Sequence, residues 1–403
     1  MIEALLQLKH KLKTELFSIL TFWKNNAIDA QNGGFIGAID GDNIPQSKAS
    51  KGVVLNARLL WTFSSAYSIF KNASDLEMAN RAYHYLIHFF IDKKYGGVLW
   101  EVDYKGKPLN GRKQIYGLAF AIYGLAEYYK ITEQKEARNH AITLFQLIEK
   151  YSFDDIRNGY IEALSREWGQ LTDYRLSEKD ANESKTMNTH LHILEAYTNL
   201  YRIWKDKKLA EALQNLVGLF IKKFINTSYH LNLFFDDDWN LKSDVISYGH
   251  DIECSWLLHE ASEVLGNKTL VEQTKNIAHK MAMANLEGLD RDGGLNYEKF
   301  PSNNKIDTDK HWWPQAEAMV GYFNAFQISG DNLLLEKTLH IWNFINKYMI
   351  DKVHGEWYGR VNKSGIPYKS DVKAGFWKCP YHNSRACLEI FERINNLNDT
   401  QNE

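Results

Sequence analysis

The stretch YGGVLWEVD, residues 95–103, decides the fold because five other stretches share its form. Each has a glycine or small polar turn followed by aromatic and branched residues that suit a short strand. The other five are NGGFIGAID (32–40), NGYIEALS (158–165), HLNLFFDDD (230–238), DGGLNYEKF (292–300) and HGEWYGRVN (354–362). Matching glycines recur at intervals of 61 to 63 residues, and the stretch at 230–238 fills the one double interval.

Between these stretches, apolar residues fall at i, i+3, i+4 and i+7, the pattern of amphipathic helices. Twelve helices are predicted, over residues 3–25, 52–70, 76–92, 115–130, 135–150, 188–204, 209–225, 250–264, 269–285, 314–328, 333–348 and 380–394. The chain therefore contains six repeats, each with two helices and one turn–strand element. No linker rich in Pro, Gly or Ser interrupts them, so we predict one domain over residues 1–403.

Six helical hairpins can close into a double ring. The predicted fold class is all-α, an (α/α)6 barrel with short β-hairpin and strand elements in its loops. An open solenoid is the alternative. Closure is favoured because the candidate inner helices carry polar and aromatic residues that would line a pocket.

Composition excludes several functions. The net charge of -2 over 403 residues leaves no basic surface for nucleic acid. No apolar run approaches the about 18 residues of a membrane span, and the N-terminus lacks the apolar core of a signal peptide. The three cysteines show neither disulfide nor metal spacing, so a cytoplasmic protein is expected. The aromatic share of 13% hints at carbohydrate, because sugar C–H faces stack on indole and phenol rings.

Two stretches offer groups for proton transfer. SYGHDIECSW (247–256) places His250 three residues before Glu253 at a helix start, so the carboxylate can orient the imidazole. FWKCPYHNSR (376–385) places His382 at the start of the last inner helix. Two histidines from separate repeats can face each other across a cavity, as a two-base proton transfer requires. Purely structural histidines are the alternative.

Two further helix starts offer polar and aromatic groups. In MNTHLHILE (187–195), Asn188, His192 and Glu195 share one face, although Asn188 could simply cap the helix. In HWWPQAE (311–317), the first-turn Pro314 predicts that Trp312 and Trp313 lie on the loop before the helix. The tryptophans are interpreted as a binding platform, or alternatively as an external hydrophobic staple.

Arg58 lies in the otherwise apolar helix segment KGVVLNARLLW (51–61). A buried arginine needs a partner, so it either faces a developing oxyanion or forms a salt bridge. Tyr116 is expected to line the same cavity. No phosphate-binding glycine loop, GxSxG elbow or metal signature stands out, so neither a metal nor another cofactor is expected.

The strings KGVVLNARLLW, KTMNTHLHILEAY, SYGHDIE, WWPQAEA and KCPYHNSR resemble the N-acylglucosamine 2-epimerase superfamily, from about residue 10 to residue 393. Within it, the chain is most similar to the branch that acts on cellobiose. The resemblance implies an (α/α)6 barrel and reversible C2 epimerisation of the reducing-end glucose of β-1,4-linked disaccharides. Cellobiose would give glucosyl-mannose, and lactose would give epilactose, without a metal or nucleotide.

The resemblance also implies residue roles. His250 and His382 correspond to the two acid/base residues, His192 to the group that helps open the pyranose ring, and Arg58 to the group that stabilises a cis-enediolate. Residues expected to bind the sugar are Tyr116, Asn188, Glu253, Trp312, Trp313, Glu317 and Trp377. Loops 165–186 and 300–311 are expected to border the site.

Three alternatives stay open. Pro314 is closer to other branches of the superfamily, which favours a D-mannose/D-glucose 2-epimerase or an aldose–ketose isomerase acting on monosaccharides. A glycoside hydrolase on the same scaffold would need paired carboxylates, which Asp236, Asp237 and Asp238 could supply. A sugar-binding protein without activity is the third. In each case the partner is a small sugar, with no nucleic acid or membrane, and the chain is expected to be a monomer or weak homodimer.

Overall fold

The computed structural model describes residues 2–399, and twelve α-helices form in this part of the chain. They are α1 (Ile2–Asn26), α2 (Val53–Phe70), α3 (Ala73–Tyr85), α4 (Ile115–Thr132), α5 (Lys135–Tyr151), α6 (Met187–Ile203), α7 (Lys207–Leu219), α8 (Tyr248–Leu265), α9 (Lys268–Asn285), α10 (Trp312–Ser329), α11 (Asn332–Phe344) and α12 (Tyr381–Asp399). Three of the outer helices continue into a π-helical turn, at Leu86–Phe90, Phe220–Phe224 and Ile345–Met349. Each helix overlaps one of the predicted segments.

The even-numbered helices form a closed inner ring. Each packs against the next, and α12 packs against α2, so the open solenoid is wrong and the (α/α)6 barrel is confirmed. Helix α4 is buried at every position from Ile115 to Tyr128, as a helix surrounded by others must be. The outer helices bury one face only, and α1 completes the outer ring by packing on α12. Within residues 2–399, no helix has both the length and the apolar character to cross a bilayer.

Short strands join the six connecting loops in the same circular order. They are β1 (Lys51–Gly52), β2 (Glu101–Val102), β3 (Pro108–Asn110), β4 (Lys113–Gln114), β5 (Ala163–Leu164), β6 (Lys185–Thr186), β7 (Phe234–Phe235), β8 (Ile246–Ser247), β9 (Glu298–Phe300), β10 (Lys305–Asp307), β11 (Lys310–His311) and β12 (Arg360–Val361). Antiparallel pairs link β1 to β2, β4 to β5, β6 to β7, β8 to β9 and β11 to β12. A bridge between Ile39 and Ala374 joins the first loop to the sixth and closes this circle.

The strand pairs also fix where the inner helices begin. The first backbone N–H of α2, at Val53, donates to the carbonyl of Trp100 in the next loop at 3.1 Å. Ile115 donates in the same way to Glu162 O, and Met187 to Leu233 O. These amides have no acceptor inside their own helix, so each neighbouring loop satisfies a helix start.

An ion pair between a buried lysine and an aspartate occurs in five of the six connecting loops. In four of them the lysine begins the two-residue strand before the inner helix, whereas Lys373 directly precedes the bridge residue Ala374. The aspartate follows the preceding outer helix in all five. The pairs, with their Nζ–Oδ2 distances, are Lys51–Asp29 (2.8 Å), Lys113–Asp92 (2.8 Å), Lys185–Asp154 (2.8 Å), Lys310–Asp290 (2.8 Å) and Lys373–Asp351 (2.7 Å). We call these the Lys–Asp pairs.

Candidate active site

The loop end of the inner ring surrounds a cavity of about 660 Å³, within the range of about 300–1,000 Å³ that small-molecule sites occupy. Its wall combines the first two turns of the inner helices with two loop segments, residues 175–181 and 297–300. All the residues that the sequence singles out for the site, except Glu317, line it: Arg58, Tyr116, Asn188, His192, His250, Glu253, Trp312, Trp313, Trp377 and His382.

His250 lies in the first turn of α8 and opens onto the cavity. Its Nδ1 is 2.8 Å from the hydroxyl oxygen of Ser247, the residue before the helix. The expected pairing with Glu253 is wrong, because that carboxylate turns to a guanidinium deeper in the ring. Burial among protein atoms, together with the nearby His192, lowers the pKa of His250 to about 3. The imidazole is therefore neutral at physiological pH and can accept a proton.

His382 lies in the first turn of α12. Its Nδ1 is 2.7 Å from Oε1 of Glu317, so the carboxylate accepts the Nδ1 proton and leaves the Nε2 lone pair free. Burial lowers the pKa of His382 well below its usual value, and the charges of Arg58 and Arg385 lower it further. Glu317 thus sits behind His382 rather than in the cavity wall, and it orients the imidazole.

Trp313 contacts both histidines. Its ring centroid is 4.7 Å from the His250 ring and 5.7 Å from the His382 ring. Helix α10 begins at Trp312, whose backbone N–H donates to Gly359 O at 3.0 Å. The prediction that Trp312 and Trp313 precede the helix is therefore wrong, because this bond to the neighbouring loop satisfies the first amide of a helix that starts two residues before Pro314.

Arg58 projects from the second turn of α2 with only 3% of its surface exposed. Its Nη2 donates to the Tyr116 hydroxyl at 2.7 Å, and the guanidinium carbon lies 4.2 Å from the ring centroid of Phe120. Nε has no partner, and no ion pair to a carboxylate forms within residues 2–399, so the salt-bridge alternative is wrong. A buried cation without a counter-ion carries a desolvation cost of several kcal/mol, which an anion in the cavity would offset.

His192 and Asn188 face the cavity from α6. Oε2 of Glu195 accepts from Nδ1 of His192 at 2.8 Å, and the His192 ring packs edge-to-face against Tyr116 at 4.8 Å. Asn188 does not cap the helix, since the side chain of Thr186 takes that role. The buried Oδ1 of Asn188 has no hydrogen-bond partner in the described part of the chain, which leaves an acceptor for a ligand hydroxyl.

Arg385 was not predicted to be a site residue. In the structure it connects the buried carboxylates behind the cavity. It is fully buried in α12, where Nη2 donates to Glu253 at 2.6 Å and to Glu317 at 2.7 Å. Nη1 donates to Glu195, which also accepts from the Tyr381 hydroxyl. One guanidinium therefore meets three carboxylates from α6, α8 and α10. No local pattern marks it, because the polar residues His382, Asn383 and Ser384 precede it directly.

The same cluster is the closest arrangement to a metal site in the described part of the chain. One donor atom each from Glu253, Glu317 and His382 lie within 4.8 Å of one another. Nη2 of Arg385 already donates to both carboxylates, so a cation occupies the position between them. We treat the cluster as a buried ion-pair network.

Two loops contribute residues to the cavity wall. The sequence predicted that these loops border the site but not which of their residues do. Residues 175–181 belong to the loop 165–186, and Phe300 and His311 bound the loop 300–311, so both loops border the cavity. The rings of Tyr297 and His311 stack with centroids 3.9 Å apart. This part of the wall carries charged groups, Arg175, Lys179, Asp180 and Glu298.

Known proteins share the sequence pattern and the fold of this chain. The model of the N-acylglucosamine 2-epimerase (GlcNAc 2-epimerase) family matches residues 34–386. Cellobiose 2-epimerase of Bacteroides fragilis is 51% identical over 385 residues, which cover 95% of this chain and 98% of that protein. The structure of cellobiose 2-epimerase from Bacillus thermoamylovorans B4167 is 41% identical, with a TM-score of 0.91 over 98% of this chain and 100% of that one. Cellobiose 2-epimerase from Spirochaeta thermophila DSM 6192 gives a TM-score of 0.93 at 38% identity, over 98% of each chain.

The family match and these relatives define the class, an (α/α)6-barrel isomerase that acts on carbohydrates. Because the family model and the relatives cover most of the sequence, the chain belongs to the N-acylglucosamine 2-epimerase family. The resemblance drawn from its sequence motifs is confirmed.

Proposed function

We propose that the chain catalyses reversible C2 epimerisation of the reducing-end glucose of β-1,4-linked disaccharides, converting cellobiose to glucosyl-mannose and lactose to epilactose. The 51% identical relative is a cellobiose 2-epimerase, which supports this substrate class. The observation that carries the chemistry is the pair His250 and His382, two neutral imidazoles that contact one indole beside the unpaired Arg58.

The proposed reaction starts with the open-chain aldehyde, whose carbonyl acidifies the C2 hydrogen. One histidine removes that proton, and Arg58 stabilises the oxygen of the cis-enediolate. Rotation about C2–C3 turns the opposite face of C2 toward the second histidine, which returns a proton. Because Glu317 fixes the Nδ1 proton of His382, the Nε2 atom is the one that exchanges protons with the sugar.

His192 is assigned to ring opening. Its Nδ1 is fixed by Glu195, so Nε2 is the atom available to the cavity. Burial lowers the pKa of His192 although Glu195 opposes this, so the ring is neutral and can take a proton from a sugar hydroxyl. Asn188 Oδ1, Glu253, Trp313 and Trp377 are assigned to holding the sugar.

The experiment incubates the purified protein with cellobiose, lactose, glucose, mannose and N-acetylglucosamine in D2O and separates the products. We expect epimers of the two disaccharides with deuterium at C2. Turnover of the monosaccharides alone would favour the D-mannose/D-glucose epimerase or the aldose–ketose isomerase. Products without deuterium at C2 would refute proton transfer and favour hydride chemistry.

Two variants test the histidines directly. His250→Ala and His382→Ala should each abolish turnover and leave the thermal unfolding profile intact. His10→Ala, on the exposed face of α1, is the matched control and should keep full activity. Substantial epimerisation by both active-site variants would contradict the two-base scheme.

The three aspartates that the hydrolase alternative requires make other contacts outside the cavity. Asp236 accepts from backbone amides of its own turn, at Asp238 and Asn240, and pairs with Lys242. Asp237 and Asp238 bond to Ser184 and Arg157, and none of the three aspartates lines the cavity. Release of free glucose from cellobiose would reverse this conclusion.

The proposal extends to a monomer or weak homodimer that acts in the cytoplasm on small sugars. The three cysteines are free and buried, which fits a reducing compartment. Light scattering coupled to size-exclusion chromatography measures the oligomeric state.

A further inference from the structure

The fourth repeat departs from the other five at its Lys–Asp pair. The same β-bridge follows each outer helix, and in five repeats an aspartate comes next, whereas Asn226 takes that place in the fourth. In β8 the position of the lysine is occupied by Ile246. Both partners are therefore replaced together, at the start of the helix that carries His250.

This repeat has an ion pair between His230 and Asp251 instead. Nδ1 of His230 is 2.7 Å from Oδ2 of Asp251, and the backbone N–H of Leu231 donates to Oδ1 of the same carboxylate at 2.8 Å. His230 is 6% exposed and Asp251 is fully buried. Asp251 directly follows His250 in the first turn of α8, so this contact fastens the helix turn that holds the imidazole.

The other side of His230 faces a second group tied to the same turn. Its Nε2 lies 3.7 Å from Oε1 of Glu287, which accepts from the Tyr248 hydroxyl at 3.0 Å and pairs with Lys299 at 3.1 Å. Tyr248 is the first residue of α8, and Asn285 donates to its carbonyl at 2.7 Å. The network joins the loop before β7, the turn after α9 and strand β9 to one helix start.

The charges around His230 favour its protonated form. Burial acts to lower its pKa, but the hydrogen bond and charge of Asp251 raise it above the ordinary value, with Glu287 adding to the effect and Lys299 opposing it. The proton on Nδ1 stays in the bond to Asp251 in either charge state, because a carboxylate only accepts.

We propose that His230 is a positioning residue that sets the place of His250 in the cavity through Asp251. Its contact with Asp251 ties the start of the fourth inner helix to the loop that follows α7. The inference rests on the proposed epimerisation, and it concerns one of the two histidines only. A small displacement of His250 slows its proton transfer, since such steps depend steeply on geometry, and leaves His382 in place.

The test exploits this asymmetry. In a two-base reaction each histidine removes the C2 proton of one epimer, so exchange of that hydrogen for deuterium can be followed separately from the glucose-ended and the mannose-ended disaccharide. His230→Gln places its amide near the position of Nε2 and loses the bond to Asp251. His230→Asn places its amide near Nδ1 and can keep that bond. Leu144→Ala, a buried truncation on outer helix α5, is the control for general destabilisation.

We expect His230→Gln to slow exchange from one epimer by about tenfold or more and to change exchange from the other less than about twofold, with KM nearly constant. His230→Asn should restore most of the lost rate. Equal slowing from both epimers, as in Leu144→Ala, or no slowing at all, would overturn the inference. Absence of exchange in the unaltered protein would instead overturn the proposed function.

Discussion

At the scale of single residues, Arg58 has the environment that most needs a ligand. It is charged at every accessible pH and buried, and within residues 2–399 it donates hydrogen bonds only to a phenol, a carbonyl and a thiol. Stability alone would be better served by an apolar side chain of similar volume. Its place in the cavity wall is explained if an oxygen that becomes negative during the reaction lies beside it.

Arg58→Lys tests this assignment. Lysine keeps the charge but cannot reproduce the planar fork that reaches Tyr116 and Trp377. We expect kcat to fall by about 10²–10³-fold with KM changed only a few-fold, because the lost donor acts on the transition state. Steady-state kinetics with cellobiose measure this, and Tyr116→Phe is the milder companion. An unchanged kcat in the lysine variant would refute the role.

The pKa of Glu253 reflects the excess of negative charge in the buried cluster around Arg385. Arg385 supplies one positive charge to three carboxylates, so burial and the neighbouring Glu317 raise the pKa of Glu253 to about 8. The folded state thus binds a proton that the unfolded chain releases above about pH 4.5. The stabilisation is complete at low pH and is lost as the pH rises through about 8.

Glu253→Gln should remove this dependence. The free energy of unfolding of the unaltered protein is expected to fall by a few kcal/mol between about pH 5 and pH 8 because of this one group. In the variant, which cannot ionise at this position, the fall should be smaller by that amount. Urea denaturation at a series of pH values provides the measurement. Parallel curves for the two proteins would show that the proton is held elsewhere.

At the scale of elements, the Lys–Asp pairs anchor the inner helices to the loops. Among residues 2–399, Asp29 forms an ion pair with Lys51 alone, whereas Asp92 is shared by Lys113 and Arg166, which lies 2.9 Å away. Removing one partner of a buried pair costs about 3–5 kcal/mol, because the other charge is left uncompensated. The loss of stability must therefore depend on whether another cation still pairs with the aspartate.

Lys51→Met and Lys113→Met make the comparison. We expect the first to lower the free energy of unfolding by about 3–5 kcal/mol and the second by at least 1 kcal/mol less, since Arg166 still pairs with Asp92. Chemical denaturation of both variants under the same conditions measures the two losses in the free energy of unfolding. Equal losses would mean that Arg166 does not compensate the carboxylate.

The helices were predictable because their apolar period is a local property. The repeated glycine turns predicted the number of hairpins for the same reason. This sequence pattern was weakest in the fourth repeat, where Tyr229 has the positive φ of 64° that glycine adopts in most of the other repeats. Contacts across the ring were not predictable. Glu253 was expected to serve His250, but its partner Arg385 comes from a helix 132 residues away, and spacing along one helix cannot reveal it.

At the scale of the whole molecule, we expect the loops to determine which sugars the cavity admits. The inner-helix residues surround the reacting carbon in our proposal, and residues 175–181 and 297–300 extend the wall beyond them. A second sugar ring, linked through O4 of the first, must be accommodated by this outer part.

Replacing residues 176–181 by the same number of glycine and serine residues tests whether this loop serves the second sugar ring only. The KM for cellobiose should rise by about tenfold, equivalent to 1.4 kcal/mol of lost binding. The exchange of deuterium into mannose, which needs no outer wall, should stay within about twofold of the unaltered rate. A matching loss with both sugars would show that the loop supports the reacting ring as well.

The closure of the ring ties together residues that are far apart along the chain. Nε1 of Trp23 in α1 donates to Glu356 at 2.6 Å, and Nε1 of Trp357 donates to Glu15 at 2.8 Å. We expect contacts across more than 300 residues to form late in folding, because much of the chain must be ordered before they can be made. His382 lies on α12, the helix that α1 covers. We therefore expect the second histidine to reach its place only when both ends of the chain have docked, so that activity appears late during refolding.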